Sequence, residues 1–131
     1  MASVKMDLAA LDRLAEAKAE KGIRAAALTG EALLKADILS RPGTGKVYGK
    51  HRASAPGQPP APDTGRLRNS VQADQNVRRD GNDLVGRIVA NDTKAAALEK
   101  GTERMAARPF LSLLKSDYGP RLVRAFTAGA K

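Results

Sequence analysis

The segment from Arg41 to Val71, RPGTGKVYGKHRASAPGQPPAPDTGRLRNSV, constrains this chain more than any other. It holds five of the seven prolines and five of the twelve glycines. Proline fixes φ and offers no backbone donor, and glycine lifts the steric limits on φ. Neither a helix nor a central strand is therefore expected to run through it. Loops of this length are uncommon inside a compact domain and mark either function or disorder. The expectation is one domain over 1–131: a helical arm at 4–39, a flexible basic Gly/Pro loop at 41–64, and a second half at 65–131 built from a strand hairpin and helices. Between Arg41 and Arg79 eight Lys/Arg face two Asp, so this region supplies six of the formal +9 charges.

In the arm, Leu8, Leu11, Ala15, Ala19, Gly22, Ala26, Gly30 and Leu33 recur at spacings of three and four, with charged residues between them. That is the signature of an amphipathic helix, here over about Val4–Ile38, with Ser3 as N-cap and Arg41-Pro42-Gly43 as the stop. Such a helix is about 50 Å long, whereas a globule of this size has a radius of gyration near 14 Å. Either the helix bends near Gly22 or Gly30, or its small-residue stripe packs on another subunit.

Past the loop, Asp63-Thr64 opens a short turn through Gly65-Arg66-Leu67-Arg68. Val71, Ala73 and Val77 alternate with polar neighbours as a strand does. Asp80-Gly81-Asn82 is a hairpin turn signal, because Asp-Gly accepts positive φ. Leu84–Ala90 is the returning strand. Its apolar residues on both faces, Leu84, Ile88 and Ala90 against Val85 and Val89, predict a strand that is central or covered on both sides. Asn91-Asp92-Thr93 caps a short helix over Ala95–Glu99, which Gly101 ends. Pro109 suits the first turn of a last helix carrying Phe110, Leu113, Leu114, Leu122, Val123 and Phe126, interrupted at Tyr118-Gly119-Pro120. The fold class expected is α+β: a long N-terminal helix, a long basic loop, a small antiparallel sheet with a hairpin, a short helix, and a C-terminal helix packed on the sheet. With aromatics at 3% of residues, the core is modest, with Phe110 and Phe126 as its large anchors.

Catalytic readings find no support. The lone histidine, His51, lies in the basic loop with no carboxylate near it in sequence, and a histidine base needs an orienting third group. With no cysteine there is neither a disulfide framework nor a thiolate metal site, and Asp and Glu lack oxygen-ligand spacing. No metal or cofactor is expected. Gly43-Thr44-Gly45-Lys46 imitates the end of a phosphate-binding loop. Ser40 stands where that pattern needs its first glycine, and Val47 where it needs Ser or Thr. Glu99 and Glu103 read as solvated carboxylates or as partners of Lys100 and Arg104. No stretch has the roughly 18 apolar residues of a membrane span, and the first residues lack the apolar run of a secretory signal. Synthesis in the cytosol fits this.

Nucleic-acid binding stands better. Arg41, Lys46, Lys50, Arg52, Arg66, Arg68, Arg78 and Arg79 can neutralise phosphates, giving salt-sensitive affinity. No recognition helix is visible, and Tyr48 alone among these cations offers a stacking surface.

Two further stretches resemble a known family. His51–Pro60 (HRASAPGQPP) with Asp63–Val71 (DTGRLRNSV) is similar to the SAPGxPP…DTGxLRxSI signature of the small tail-completion, or head–tail joining, proteins of long-tailed phages. Ala97–Thr102 (ALEKGT) with Met105–Leu111 (MAARPFL) is similar to that family's VEFGTxxMxARPFL. Order and spacing agree over about Gly45–Leu114. The family usually carries aromatics near Lys94 and at Lys100, so a more polar contact is expected beside the Gly-Thr turn here.

The resemblance implies a non-enzymatic virion protein that completes the tail or joins head to tail. It would be made in the host cytoplasm and assembled as a homo-oligomeric ring, six subunits being expected, around the DNA channel at the neck. Partners implied are further copies of itself, the tail tube protein and the head connector or stopper protein, with non-specific contact to DNA in the lumen and none with a membrane. Lys46, Lys50, Arg52, Arg66 and Arg68 are the candidates for the assembly or DNA-facing loop. Gly65, Leu67, Glu99, Gly101, Arg108, Pro109 and Phe110 are the structural motif residues. Gly65 is expected to allow close backbone approach, Leu67 to anchor the loop's end, Gly101 to stop its helix in the αL conformation, and Phe110 to plug the core. A head-side stopper and a basic non-specific nucleic-acid-binding protein are the alternatives.

Overall fold

The computed structural model describes residues 8–62, 65–74 and 76–131, with side chains along the first helix from Asp12 onward. The expected cap at Ser3 and the expected turn start at Asp63-Thr64 lie outside the described residues. The architecture is mixed α+β, with a long N-terminal helix, small antiparallel strand pairs and a C-terminal helix.

Helix α1 (Leu8–Ala36) is unbroken, as its Ala, Leu, Glu, Lys and Arg content favours. Gly22, Ala27, Gly30, Leu33 and Leu34 are its buried positions. Asp37 leaves the helix, and a 3-10 turn over Ile38–Ser40 buries Ile38 and Leu39. Arg41 is extended (φ −70°, ψ 134°), the conformation that the following Pro42 imposes.

Helix α4 (Leu111–Gly129) runs antiparallel to α1 and makes the main packing contact of the fold. Gly30 faces Leu114 and Leu122, Gly22 faces Phe126, and Gly129 meets Ala25. Gly22 and Gly30 are thus contact points where α4 closes on α1, and the helix passes through both without interruption. Because α4 ends beside Lys21 and Ala25, α1 extends past it by about 20 Å at 1.5 Å per residue. In this overhang Ala15 is exposed and Leu14 is 55% exposed.

Two expectations for α4 are corrected. It starts at Leu111, with Phe110 as the cap residue, so Pro109 precedes the helix. It also continues through Tyr118-Gly119-Pro120. Pro120 and Ser116, whose carbonyl loses its partner, are both exposed, so water can replace the missing donor. Packing of Leu114 before the proline and Phe126 after it against the same α1 holds the two halves in line.

The central loop also departs from expectation, since it carries secondary structure. Strands β1 (Val47–Tyr48) and β2 (His51–Arg52) form an antiparallel hairpin across Gly49-Lys50. The ladder extends through Ala53, whose N–H donates to the Lys46 carbonyl (2.9 Å) and whose carbonyl accepts from Gly45 (2.8 Å). A two-stranded ribbon needs no partner on its outer edges, so the surrounding prolines do not prevent it. Past the loop, α2 (Arg66–Ser70) is one short helical turn.

Strand β3 (Val71–Ala73) pairs antiparallel with β6 (Ile88–Ala90), and β4 (Arg78–Asp80) with β5 (Asp83–Val85) around Gly81-Asn82. The expected hairpin thus exists in two pieces. Between Asp74, which donates to the Arg87 carbonyl at 2.8 Å, and Arg78, the outgoing strand has three positions. The returning strand has only Gly86, which presses on Ile23 of α1. This bulge shifts the register by two residues and lets the tip follow α1. The returning strand is not central. Among the described residues it is paired on one edge only, and Val89 is 39% exposed.

The core joins Leu33, Leu34, Ile38 and Leu39 to Val71, Ala95, Phe110 and Leu114. Phe110 is fully buried, as expected of a core plug, whereas Phe126 is 36% exposed and covers Gly22.

Candidate partner-binding cleft

The two sequence stretches that carry the family resemblance meet in space. The Gly57 N–H donates to the Ala107 carbonyl (2.9 Å), and Arg108 Nε donates to the Ser54 carbonyl (3.3 Å). The Arg108 N–H donates to Leu98 (2.6 Å), and its guanidinium also reaches the Ala106 carbonyl (3.3 Å). Arg108 therefore fastens the proline-rich loop to the segment between α3 (Ala95–Lys100) and α4. Ser54 is buried in this seam, with its hydroxyl unpartnered among the described residues.

Glu99 holds the other side of that segment. Its Oε2 accepts from the backbone N–H of Phe110 (2.7 Å) and Leu111 (3.0 Å), and its Oε1 from Ser112 (2.9 Å). The first N–H groups of a helix lack intrahelical partners and carry partial positive charge. Glu99 satisfies three of them from a different helix. Partial burial pushes its carboxyl up, but the three donors outweigh that and leave it below the ordinary 4.5. The reading of Glu99 as solvated, or paired with Lys100 or Arg104, is thereby corrected.

Gly101 ends α3 at φ 79°, ψ 173°, a positive-φ region open to glycine but not the expected αL one. The chain then turns tightly, with Thr102 and Met105 exchanging backbone hydrogen bonds. Gly65 does lie in αL (φ 78°, ψ 2°) at the start of α2. Among the described residues a side chain there would meet only Asn69, at 3.7 Å, so its positive φ, and not close approach to them, is what calls for glycine. Leu67 packs against the core, as expected of an anchor, while Arg66 and Arg68 are exposed. The Asp92 carboxylate accepts from the Lys94 N–H (2.8 Å), closing a turn just before α3; the cap position itself is Lys94, with no side-chain cap bond, so the capping expected of Asn91-Asp92-Thr93 is corrected.

These pieces enclose a cleft of about 1030 Å³ between the hairpin and proline loop on one side and α2, the start of α3 and residues 104–108 on the other. Leu39, Leu67, Leu98 and Met105 give it an apolar floor, and Pro56, Pro60 and Pro62 form part of its wall. Among the described residues, Arg66, Arg68, Lys94, Arg104 and Arg108 line it against one carboxylate, Asp92.

The five candidate loop cations are all exposed, but they are not brought to one place. Arg66 and Arg68 line the cleft, and Lys50 borders a smaller hollow with Tyr48, His51 and Pro62. Lys46 lies 5.2 Å from the Tyr48 ring centroid, and Arg52 donates to the Gly45 carbonyl (3.0 Å). Arg41, Arg78 and Arg79 are engaged with carboxylates: Arg41 with Asp37 and Asp117, Arg78 with Asp74, and Arg79 with Glu16. The Asp37 hydrogen bond outweighs desolvation and raises Arg41 above its usual value. The phosphate-neutralising set read from the sequence is reduced accordingly. Sequence reasoning did not place Lys94 and Arg104 at the site, although both flank the second resembling stretch. Among the described residues no helix is long and apolar enough to cross a membrane. Compared with protein-family models, curated proteins and solved structures, the chain matches none.

Proposed function

We propose that this chain is a non-enzymatic assembly protein of a phage or phage-like particle, acting at the head–tail junction as a ring that completes the tail or joins head to tail. The observation that carries the reading is the seam from Ser54 and Gly57 to Ala107 and Arg108. Two stretches that separately resemble the family form one surface unit, so their shared order along the chain has a physical reason. The overhanging part of α1 supports ring formation, since its Leu14 and Ala15 remain exposed within one subunit and a neighbouring subunit can cover them. The exposed cations of the loop and α2 then meet the tail tube, the connector or DNA in the channel.

The test is neutralisation of Lys46, Lys50, Arg52, Arg66 and Arg68 together, with infectious particles counted and heads and tails inspected. Unjoined heads and tails are expected; a normal yield refutes the loop's role. Native mass of the purified protein tests ring formation. The exposed Tyr48 beneath Lys46 favours a second reading, a non-specific nucleic-acid-binding surface. Salt-sensitive, sub-micromolar binding of arbitrary duplex DNA by a monomer supports that alternative.

A further inference from the structure

We infer that the cleft between the proline loop and the start of α3 receives an extended acidic segment of a partner protein, with an apolar side chain seated on the floor. Identifying the supplier of that segment as a neighbour in the particle rests on the proposed function; the chemistry of the cleft does not.

The argument starts from volume and lining. At about 1030 Å³ the cleft lies at the top of the ~300–1,000 Å³ range typical of ligand sites. Its floor is apolar through Leu39, Leu67, Leu98 and Met105, and among the described residues five cations line it against Asp92, which already accepts from the Lys94 N–H. An apolar centre within a charged margin is the anatomy of a protein-recognition site. Four of the five cations are arginines, whose planar forks match carboxylates two bonds at a time. Arg108 is committed to the Ser54 and Ala106 carbonyls. Arg68, Lys94 and Arg104 are exposed and come from three separate segments, so acidic residues spaced along one strand can each meet a cation.

Nucleic acid fits the same lining less well. Single strands bind by stacking successive bases on aromatic rings, and among the described residues this cleft offers two, Tyr48 and His51, both from the hairpin at its edge. A floor of leucines and methionine offers a phosphodiester nothing. A second copy of this chain is disfavoured as donor by charge, since the chain is at +9.

The experiment uses the full-length protein and three fluorescein-labelled probes: a short Glu/Asp peptide containing two leucines, the same peptide with Gln and Asn replacing the acids, and an oligothymidylate of equal charge. Fluorescence anisotropy is followed as salt rises from about 50 to 200 mM. The acidic peptide is expected to bind best, and Arg68→Glu with Lys94→Glu to weaken it about tenfold or more. Lys115→Glu with Arg124→Glu makes the same charge change on the exposed face of α4, away from the cleft, and is expected to leave affinity within about twofold. Equal or tighter binding of the oligonucleotide overturns the inference in favour of nucleic acid. Equal binding of the Gln/Asn peptide, or equal weakening by both variant pairs, also overturns it. Native mass of the same preparation reports ring formation separately, so failure of the assembly reading is distinguishable from failure of the cleft.

Discussion

The Glu99 carboxylate accepts the Phe110 backbone N–H at 2.7 Å, and so one helix caps the next. Helix α4 has no acidic residue in its own first turn and no side-chain cap from Phe110. Glu99 supplies both functions from α3, and the bond also draws the fully buried Phe110 ring into the core.

Replacing Glu99 by alanine removes the acceptor for three N–H groups. Stability should fall by about 1–2 kcal/mol, the usual worth of a cap, which urea or thermal unfolding measures. Glu99→Gln should lose part of this, since the amide carries no charge and only one acceptor oxygen. The folded-state value of Glu99 is lowered. Its contribution is therefore complete above the unfolded value and is lost as pH falls through the lower folded one. Acid unfolding curves of the wild type and Glu99→Gln should converge at low pH; curves that stay parallel would count against the cap.

Gly22 and Gly30 both lie between the long helices, yet they should respond differently to alanine. At Gly22 a Cβ would lie 2.7 Å from the Phe126 ring and 2.8 Å from the Phe126 carbonyl oxygen, which cannot move alone. At Gly30 the nearest atoms end flexible side chains, Ile88 at 2.5 Å and Leu114 at 3.1 Å. Alanine gains about 1 kcal/mol of helix propensity at either site, against about 1–3 kcal/mol for overpacking. Gly22→Ala should be net destabilising and Gly30→Ala near neutral, as denaturant midpoints will report.

A comparable pair tests the turn after α3. Gly57 and Gly101 both have positive φ, 82° and 79°. A Cβ at Gly57 would meet nothing within 4 Å among the described residues, whereas one at Gly101 would sit 2.8 Å from the Ala107 N and 3.0 Å from the Met105 carbonyl. Gly57→Ala should cost about 1 kcal/mol of backbone strain, and Gly101→Ala at least twice that. Equal losses in thermal unfolding would mean that the close packing around Gly101 adds nothing.

Arg108→Ala should loosen the seam between the two resembling stretches without unfolding the core, since Arg108 reaches the Ser54 and Ala106 carbonyls at the edge of the cleft. Hydrogen exchange at the Gly57 amide, bonded across the seam to Ala107, should quicken by about tenfold, the equivalent of one lost hydrogen bond. Exchange of core amides such as Val71 should not change.

What the sequence determined by itself was local. The period of three and four from Ala19 to Leu33 marks α1, Asp80-Gly81-Asn82 marks a turn, Asp92 and Gly101 flank α3, and Phe110 is marked as a core anchor, although Phe126, marked with it, stays 36% exposed. Each depends on neighbours a few positions away, where propensity and alternation are readable. The tertiary structure decided the rest. Glu99 reaches N–H groups eleven to thirteen residues on, and the bulge opposite Gly86 follows from contact with Ile23. Pro120 stays helical because packing on both sides of it outweighs one lost hydrogen bond. The proline-rich segment that reads as an open loop becomes a hairpin and a cleft wall because Arg108, 54 residues away, holds it in place. Such contacts gain their energy between distant parts of the chain, and no local pattern encodes them.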